Sequence, residues 1–383
     1  MKPQFDINFI DGPYLEYKSD NDGEFRVDFV DQGTGIVECS YKINIGEKLK
    51  IDHIYFINWN LKFYKNENFV MEKKFNCRDE RVYIAIESDL LGNSLAWIPY
   101  LDAFRKKHRC KVIASTFHND LFKSQYKHIE FIEPGVTVHD LYAMYRVGLF
   151  YKNNEVDLKR NPTDFKKISL QQAASDILGL PAIELKPKLN LDKKIKKEKL
   201  ITIALHGSMQ TKYWNNETGW QEVVDYVVQK GYQVKLLSRE HDNYKGNRHP
   251  EGVTQLASGS LTAVINELQK STAFIGIGSG LSWLSWATGT PTILISGFSE
   301  KFCEFQSNTY RVAAPAGACS GCFNKIRLVA ANWNWCPEHE KTARQFECSK
   351  LITGQSVIDQ LALILDGTAL NTTRPRSLRK RAF

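Results

Sequence analysis

The sequence of 383 residues contains no apolar run of the ~18 residues that a transmembrane helix needs. Its first residues, Met1 to Phe9, lack the charged and then apolar pattern of a secretory signal. Both absences favour a cytoplasmic protein, in which clustered cysteines are more often metal ligands than disulfides. The apolar content of 43% is ordinary for a globular chain, and the length allows two or three domains.

Several ligand-binding patterns are also absent. The chain has no aromatic-and-basic RNA-reading motif and no recognition-helix pattern, so we predict no nucleic-acid partner despite the net charge of +8. The positive charge is concentrated in residues 186–199 and 374–381, which are either solvated segments or attractants for an anionic ligand or surface. P-loop spacing is absent, and we interpret the only Asp-x-Asp, Asp20-Asn-Asp22, as a turn.

Four of the eight cysteines cluster near the C-terminus, as Cys319-Ser-Gly-Cys322, Cys336 and Cys348. A C-x-x-C pair lets two thiolates reach one ion from a single turn, and two further thiolates complete a tetrahedral site for zinc or iron. Such a closed site predicts a structural role and leaves the chemistry to other residues. The remaining cysteines are predicted to be separate buried thiols: Cys39, Cys77, Cys110 and Cys303.

The N-terminal residues 1–78 alternate apolar and polar side chains, which predicts a small all-β sandwich or barrel. Strands are predicted over 24–30, 35–43 and 53–61. From Arg81 the pattern changes to strand 82–86, helix 95–107 and strand 111–115. This βαβ unit predicts a parallel sheet in a first Rossmann-like half over residues 79–185, on the acceptor side.

A linker over residues 186–199 is predicted to precede a second Rossmann-like half over residues 200–310, on the nucleotide-sugar side. Its predicted strands and helices are 200–205, 220–230, 233–237, 261–270 (with Ser260 as its cap), 274–277, 281–288 and 292–295. A cysteine finger over 311–352 and a C-terminal helix with basic tail over 353–383 complete the prediction. Two doubly wound halves leave a cleft at the carboxyl ends of their strands, where ligands bind.

Three motifs follow predicted strands. Asp89 comes after the first α/β strand, where a carboxylate serves either as a general base or as a helix cap. In His206-Gly-Ser-Met-Gln-Thr-Lys212, a small-residue turn with a lysine suits a phosphate or is an ordinary exposed loop. Gly276-Ile-Gly-Ser-Gly280 leads into a helix whose N-terminus favours a diphosphate, or is a structural turn. His206 and Trp283 alone would be core residues.

Taken together, these residues resemble those of the bacterial autotransporter heptosyltransferases, iron-containing relatives of the lipopolysaccharide heptosyltransferases. The resemblance rests on segments 88–99, 212–214 and 278–291 and on the four-cysteine cluster, and it covers most of the chain. Ordinary lipopolysaccharide heptosyltransferases lack such a cluster. They often have Asp-Ser-Gly-x-x-His where this chain has Gly278-Ser-Gly-Leu-Ser-Trp283, without the acid and the histidine.

The resemblance implies a GT-B fold of two Rossmann-like halves with an N-terminal β domain. It also implies inverting transfer of heptose from ADP-heptose to serine hydroxyls of autotransporter passenger domains, in the cytoplasm. Asp89 matches the catalytic aspartate of the family. We assign eight residues to donor binding: Glu87, Ser88, Ser208, Lys212, Arg239, Ser279, Gly280 and Leu281.

The resemblance further implies one iron ion on the four cysteines, with zinc as the alternative, because both metals accept four thiolates. No divalent metal is expected at the sugar-transfer site, because Lys212 and the helix at Gly280 would offset the charge of the leaving ADP. A homo-oligomer is implied, since some members form dodecamers. Two alternative functions stay open: a sugar transferase acting on lipopolysaccharide core, and a non-catalytic binding protein with a metal finger.

Overall fold

The computed structural model describes residues 4–18, 23–257 and 259–367. The chain divides into two compact units, Met1–Lys188 and Leu189–Phe383, with the boundary inside the predicted linker 186–199. The Asp-x-Asp motif at 20–22 and the basic tail at 374–381 lie outside the described residues. Among the helices that the structure describes, none has the length and apolarity needed to cross a bilayer.

The first unit contains two sheets, a hairpin and three helices. Its strands are β1 (Phe5–Ile10), β2 (Tyr14–Tyr17), β3 (Phe25–Asp31), β4 (Val37–Ile43), β5 (Lys48–Lys50), β6 (Trp59–Lys65), β7 (Asn68–Lys74), β8 (Arg81–Ile86), β9 (Lys111–Ser115), β10 (Ile129–Ile132), β11 (Ala143–Val147), β12 (Tyr151–Lys152) and β13 (Glu155–Val156). The helices are α1 (Leu91–His108), α2 (Asn119–Phe122) and α3 (Leu170–Ile177), with a 3-10 turn at Phe165–Lys167.

The larger sheet of this unit has the order β10-β9-β8-β11-β1-β2-β5, and its first five strands are parallel. Strands β4-β3-β6-β7 form a separate antiparallel sheet. Its two edge strands expose apolar side chains, among them Val37, Tyr41, Phe69 and Val70. The carboxyl ends of β8 and β9 are neighbours at one edge of the larger sheet, so the residues that follow them are brought together.

The prediction that residues 1–78 form a β domain of their own is wrong for β1, β2 and β5, which extend the larger sheet. β1 pairs in parallel with β11, opposing Phe9 to Ala143, and the Phe9 ring packs 5.0 Å from Phe75 and 5.4 Å from Tyr142. Parallel pairing between segments far apart in the chain has no local sequence signal. The strands predicted over 24–30, 35–43 and 53–61 therefore did not include β1, β2 or β5, and alternation does not indicate which sheet a strand joins.

The strand predicted over 53–61 begins only at Trp59. The preceding apolar residues pack individually against helices instead of pairing with a strand. The Phe56 amide donates to the Ile177 carbonyl at 2.8 Å, and the Phe56 ring lies 5.1 Å from His108. Residues 53–57 are all half-buried, so the alternating sequence pattern does not correspond to a buried and an exposed face there.

The second unit is a six-stranded parallel sheet with helices and the cysteine-rich segment. Its strands are β14 (Leu200–Ala204), β15 (Gln233–Leu236), β16 (Thr254–Gln255), β17 (Ala273–Ile277), β18 (Thr292–Ser296) and β19 (Thr309–Ala313), in the order β16-β15-β14-β17-β18-β19. Its helices are α4 (Gly219–Gln229), α5 (Leu261–Lys270), α6 (Gly280–Thr288), α7 (Cys322–Lys325), α8 (Glu347–Lys350) and α9 (Gly354–Leu365), with a 3-10 turn at Gln210–Lys212.

Two boundaries of the prediction for this unit shift. β19 runs across the predicted boundary at residue 310, because its side chains complete the sheet edge beside β18. α9 is part of the same core, since Val357 and Leu361 are fully buried in the cluster that contains Ile201 and Ile293. Ser260 caps α5 as predicted, its hydroxyl accepting from the Ala263 amide at 3.2 Å.

We predict that Leu284→Ala lowers the free energy of unfolding of the second unit by about 2–5 kcal/mol, measured by urea denaturation. Leu284 lies on α6 with no exposed surface, so truncation leaves a cavity in a packed interior. The matched control is Leu351→Ala, at a leucine that is half exposed, and it should change stability by no more than about 0.5 kcal/mol. Equal losses in the two variants would contradict the packing described here.

Candidate functional site

Asp89 lies at the carboxyl edge of the larger sheet in the first unit, between β8 and α1. The helix begins with Leu90 at its N-cap position and has no side-chain cap. Ser88 Oγ instead accepts from the Leu90 amide at 3.2 Å and from Asn93 Nδ2 at 2.9 Å. The exposed Asp89 carboxylate forms no hydrogen bond or ion pair with another described residue. The cap alternative for Asp89 is therefore not observed, and its carboxylate is available to a substrate.

A histidine that the sequence analysis did not consider, His118, lies near Asp89 at the end of β9. Burial lowers the pKa of His118, and the negative charge of Asp89 opposes that shift. His118 Nδ1 is 3.1 Å from the Oγ of Ser94, which is buried in the first turns of α1. Because β8 and β9 are adjacent parallel strands, this pairing was open to prediction from the strand order. Asp89 and His118 are thus close enough for the charge of one to act on the other.

Glu87 and Ser88, both predicted to bind the donor, lie at this same edge. Glu87 Oε1 accepts from Arg146 Nη1 at 3.2 Å, while the Asp11 carboxylate accepts from Arg146 Nε and Nη2, each at 3.2 Å. Glu87 and Arg146 are each more than one-third exposed, so their ion pair contributes little stability and is exchangeable. Whether Glu87 and Ser88 contact a donor stays a prediction.

In the second unit the segment His206–Trp214, here named the Lys212 loop, follows β14. The Lys212 ammonium forms no hydrogen bond or ion pair with another described residue, although its side chain is largely enclosed. It lies 5.5 Å from the ring centroid of Phe298. Burial lowers the pKa of Lys212, and the negative charge of Glu304 opposes this effect. An enclosed cation that forms no ion pair with a described residue is the chemical complement of an anionic ligand.

The helix start at Ser279 lies beside the Lys212 loop. A side chain built at Gly207 would come within 3.1 Å of Ile277 Cδ1 and 3.3 Å of Lys212 Cβ, so the loop lies against the end of β17. Ser279 is the N-cap of α6, and its buried Oγ has no hydrogen-bond partner among the described residues. The first amides of α6, at Gly280 and Leu281, have no intrahelical acceptor. These groups can all donate to phosphate oxygens.

The structure gives less support to the other predicted donor-binding residues of the second unit. Ser208 is exposed on the Lys212 loop. Arg239, also exposed, follows β15 and donates from its guanidinium to the Gly259 carbonyl. His206 is buried, as the core alternative expected, and its Nδ1 is hydrogen-bonded to the Ser238 hydroxyl, which donates to Glu240 Oε2 at 2.5 Å. Donor binding by Ser208 and Arg239 therefore stays a prediction.

The segment Cys319–Cys348, here named the cysteine module, places its four cysteines close enough for their thiols to influence one another's pKa. Burial and then the neighbouring thiols of the cluster raise the pKa of Cys322 and of Cys348 to about 12. Gly321, between the first two cysteines, has a positive φ of 72°, which turns the chain so that both thiols lie on one side. The structure shows no metal-binding group of three or more His, Cys, Asp or Glu side chains within residues 4–18, 23–257 and 259–367.

Comparison with known proteins identifies a family and several relatives. A family model described as glycosyltransferase family 9 (heptosyltransferase) matches residues 147–311. The chain is 34% identical to the autotransporter heptosyltransferase BAHTCr of Citrobacter rodentium over 88% of this chain and 84% of the relative. It is 35% identical to the autotransporter heptosyltransferase TibC of Escherichia coli O78:H11 over 79% and 76%.

TibC also matches in three dimensions. Its structure in complex with ADP-D-beta-D-heptose, described as dodecameric and iron-containing, has a TM-score of 0.84 at 30% identity over 95% of this chain and 96% of that chain. The fold is thus an α/β glycosyltransferase fold similar to that of TibC, with a β-rich N-terminal region. A third relative, BimC of Burkholderia thailandensis, is 28% identical over 75% and 70% and is described as an inactive autotransporter heptosyltransferase.

We predict that Lys212→Met raises the free energy of unfolding at pH 7 by roughly 0.5–2 kcal/mol, measured by urea denaturation. Because the pKa of Lys212 is lowered in the folded state, the charged ammonium destabilises that state at neutral pH. The gain should shrink as the pH rises towards 10.5, where the folded wild-type lysine is already neutral.

The control for this measurement is Lys301→Met, at an exposed lysine of the same unit, which should change stability by at most about 0.5 kcal/mol. If Lys212→Met proved less stable than the wild type, the ammonium would be stabilising the fold. The interpretation of Lys212 as an unpaired group that binds an anionic ligand would then be excluded.

Proposed function

Because the chain belongs to the autotransporter heptosyltransferases, we propose that it transfers heptose from ADP-heptose to serine hydroxyls of an autotransporter passenger domain. The observation on which this proposal rests is the enclosed Lys212 ammonium, which forms no ion pair with a described residue and lies on a loop packed against the end of β17. The relatives BAHTCr and TibC bear the name of this activity, and TibC has been described with ADP-D-beta-D-heptose.

In this proposal the second unit holds the donor. Lys212 and the first amides of α6 donate to the diphosphate, together with the Ser279 hydroxyl. As the bond between the sugar and the diphosphate breaks, negative charge grows on the ADP oxygens. A preformed cation and helix dipole stabilise that charge without further rearrangement, and no divalent ion is required for this step. Ser208, Arg239, Gly280 and Leu281 complete the donor-binding set in the second unit, with Glu87 and Ser88 in the first.

The first unit supplies the base. Asp89 accepts the proton of the acceptor serine as its hydroxyl oxygen attacks the anomeric carbon, and ADP leaves from the opposite face. This single displacement inverts the anomeric carbon and needs no covalent intermediate with the enzyme. The free carboxylate of Asp89 supports the assignment, because a base that is already hydrogen-bonded would have to exchange that partner first.

We further propose that Cys319, Cys322, Cys336 and Cys348 hold one iron ion. Four thiols that influence one another's pKa are a donor set that suits iron or zinc, and TibC is described as iron-containing. Such an ion supplies cross-linking of a loop-rich segment, and its role is structural because four thiolates complete a tetrahedral shell. All eight cysteines are free thiols, which supports a reducing compartment such as the cytoplasm.

A homo-oligomer is also proposed, because TibC is described as dodecameric. The antiparallel sheet of the first unit supports self-association, since its edge strands expose Val37, Tyr41, Phe69 and Val70 to solvent in the single chain. The non-catalytic alternative is raised specifically by BimC, which is described as inactive. The following experiment distinguishes that alternative from the transferase.

Coexpression with a passenger domain, followed by mass spectrometry, should show a mass increase of one heptose on individual serines. Asp89→Asn should reduce transfer by about 10²–10⁴-fold while leaving the Kd for ADP-heptose nearly unchanged, because only the proton acceptor is removed. The matched control is Asp120→Asn, at an aspartate whose side chain is 90% exposed, which should transfer normally. Undiminished transfer by Asp89→Asn would exclude Asp89 as the base, and no modification by the wild type would favour the non-catalytic alternative.

The purified protein should contain one iron per chain and show visible thiolate-to-iron absorption. Cys336→Ser should abolish the absorption and most of the bound iron, because three thiolates hold the ion far less tightly. Cys39→Ser removes a thiol in β4 of the other unit and should leave both unchanged. If the purified protein were colourless and contained one zinc ion per chain, the four cysteines would be assigned to zinc and not to iron.

A further inference from the structure

The cysteine module and the Lys212 loop share one small core. Met209, with only 1% of its surface exposed, packs in a cluster with Phe298, Cys322 and Trp335. Met209 is three residues from Lys212, and Cys322 is one of the four clustered cysteines. The same cluster is flanked by partly buried side chains of the module: Cys319, Phe323, Leu328 and Trp333. The loop that carries the enclosed cation is therefore packed directly on the cysteine module.

Backbone and ring contacts strengthen this attachment. The Gln210 amide donates to the Trp333 carbonyl at 3.0 Å, and the Tyr213 ring lies 5.8 Å from the Trp333 ring. Just beyond the loop, Asn215 Nδ2 donates to the hydroxyl of Ser349 at 2.9 Å, and Ser349 follows Cys348 in the chain. The Lys212 loop is thus connected to both ends of the segment between Trp333 and Cys348.

Phe298, over which the Lys212 ammonium lies, is held by the module as well. The Phe323 amide donates to the Phe298 carbonyl at 3.1 Å, and the Gly321 amide donates to the Gly297 carbonyl at 2.9 Å. At Gly297 a side chain would meet the Cys348 carbonyl oxygen at 2.3 Å, so the two backbones are in contact there. The position of Phe298 beside the Lys212 ammonium therefore depends on where the module lies.

The module has little regular structure of its own. In the fully described stretch 314–346 the only helix is α7, which has four residues, and there is no strand. A segment of this kind depends on cross-links more than on its own hydrogen bonds, and binding of a metal by thiolates is coupled to folding. Loss of the cross-link would release Met209 and Phe298 together, and with them the position of Lys212.

We propose that metal occupancy of the four cysteines sets the affinity of the second unit for a nucleoside diphosphate, through Met209 and the Trp333 backbone. Met209 is a positioning residue in this scheme, because it holds Lys212 in place and contacts no ligand itself. This inference rests on the proposed function, since it takes ADP as the ligand at Lys212. By thermodynamic linkage, ADP must then tighten metal binding by the same factor as the metal tightens ADP binding.

The first test titrates the full-length, metal-loaded protein with a competing chelator, with and without saturating ADP. The apparent metal affinity should be about tenfold higher in the presence of ADP, within the range typical of coupled sites. Uridine, which lacks a diphosphate, should have no effect. Equal metal affinities with and without ADP, in a protein that binds ADP, would overturn the inference while leaving the proposed function intact.

The second test uses Met209→Ala, which keeps all four cysteines. Its Kd for ADP, measured by isothermal titration calorimetry, should rise about five- to tenfold over the wild type at equal metal content. Met71→Ala, on β7 in the first unit, is the matched control and should leave both the Kd and the metal content unchanged. An unchanged Kd for Met209→Ala would exclude the proposed route through this side chain.

Failure of the proposed function has a different signature. If the metal-loaded wild type did not bind ADP at all, the donor assignment would be wrong. The coupling between metal and ADP, which depends on that assignment, would then also be excluded. If the loaded wild type binds ADP and metal-depleted protein of unchanged circular dichroism binds it equally well, only the coupling is excluded. Weaker ADP binding by folded, metal-depleted protein supports the coupling.

Discussion

The enclosed Lys212 ammonium, which forms no ion pair within the part of the chain that the structure describes, is the constraint on which the proposed donor site depends. Taking a lysine charge out of water is unfavourable, and the lowered pKa of Lys212 expresses that cost. The surrounding structure tolerates it because the side chain is held by apolar contacts on a loop fixed at several points. The enclosed ammonium makes the folded chain less stable. It can bind an anion directly, however, because no ion pair with a described residue has to be broken first.

The two units carry complementary chemistry at the carboxyl ends of their parallel strands. The first presents the Asp89 carboxylate, which has no hydrogen-bond partner among the described residues, near a histidine whose pKa is lowered by burial. The second presents a cation, a free hydroxyl at Ser279 and the start of α6, and all of these favour negative charge. A glycosyl transfer that takes a proton from the acceptor and leaves a diphosphate requires one edge of each kind.

Sequence reasoning was most successful where the signal is local. The strand-to-helix turn at Ser279, the lysine after β14 and the cap at Ser260 each depend on a few neighbouring residues, and the structure has these elements where they were predicted. It failed where the partner is remote. Nothing in the first ten residues indicates that β1 pairs with β11, and no local motif indicates that His118 lies near Asp89. The positions of Phe298 and of the Glu304 charge near Lys212 were missed for the same reason.

The backbone contact at Gly297 has a consequence for how the sequence can change. A single methyl group at this position would lie 2.3 Å from the Cys348 carbonyl oxygen, so the backbone at Gly297, which follows β18, or the backbone at Cys348 would have to shift. A related chain with any other amino acid at position 297 would lose this close backbone contact between the cysteine module and the end of β18. Glycine at that place and the cysteines are therefore expected to be kept, or lost, as a set during divergence.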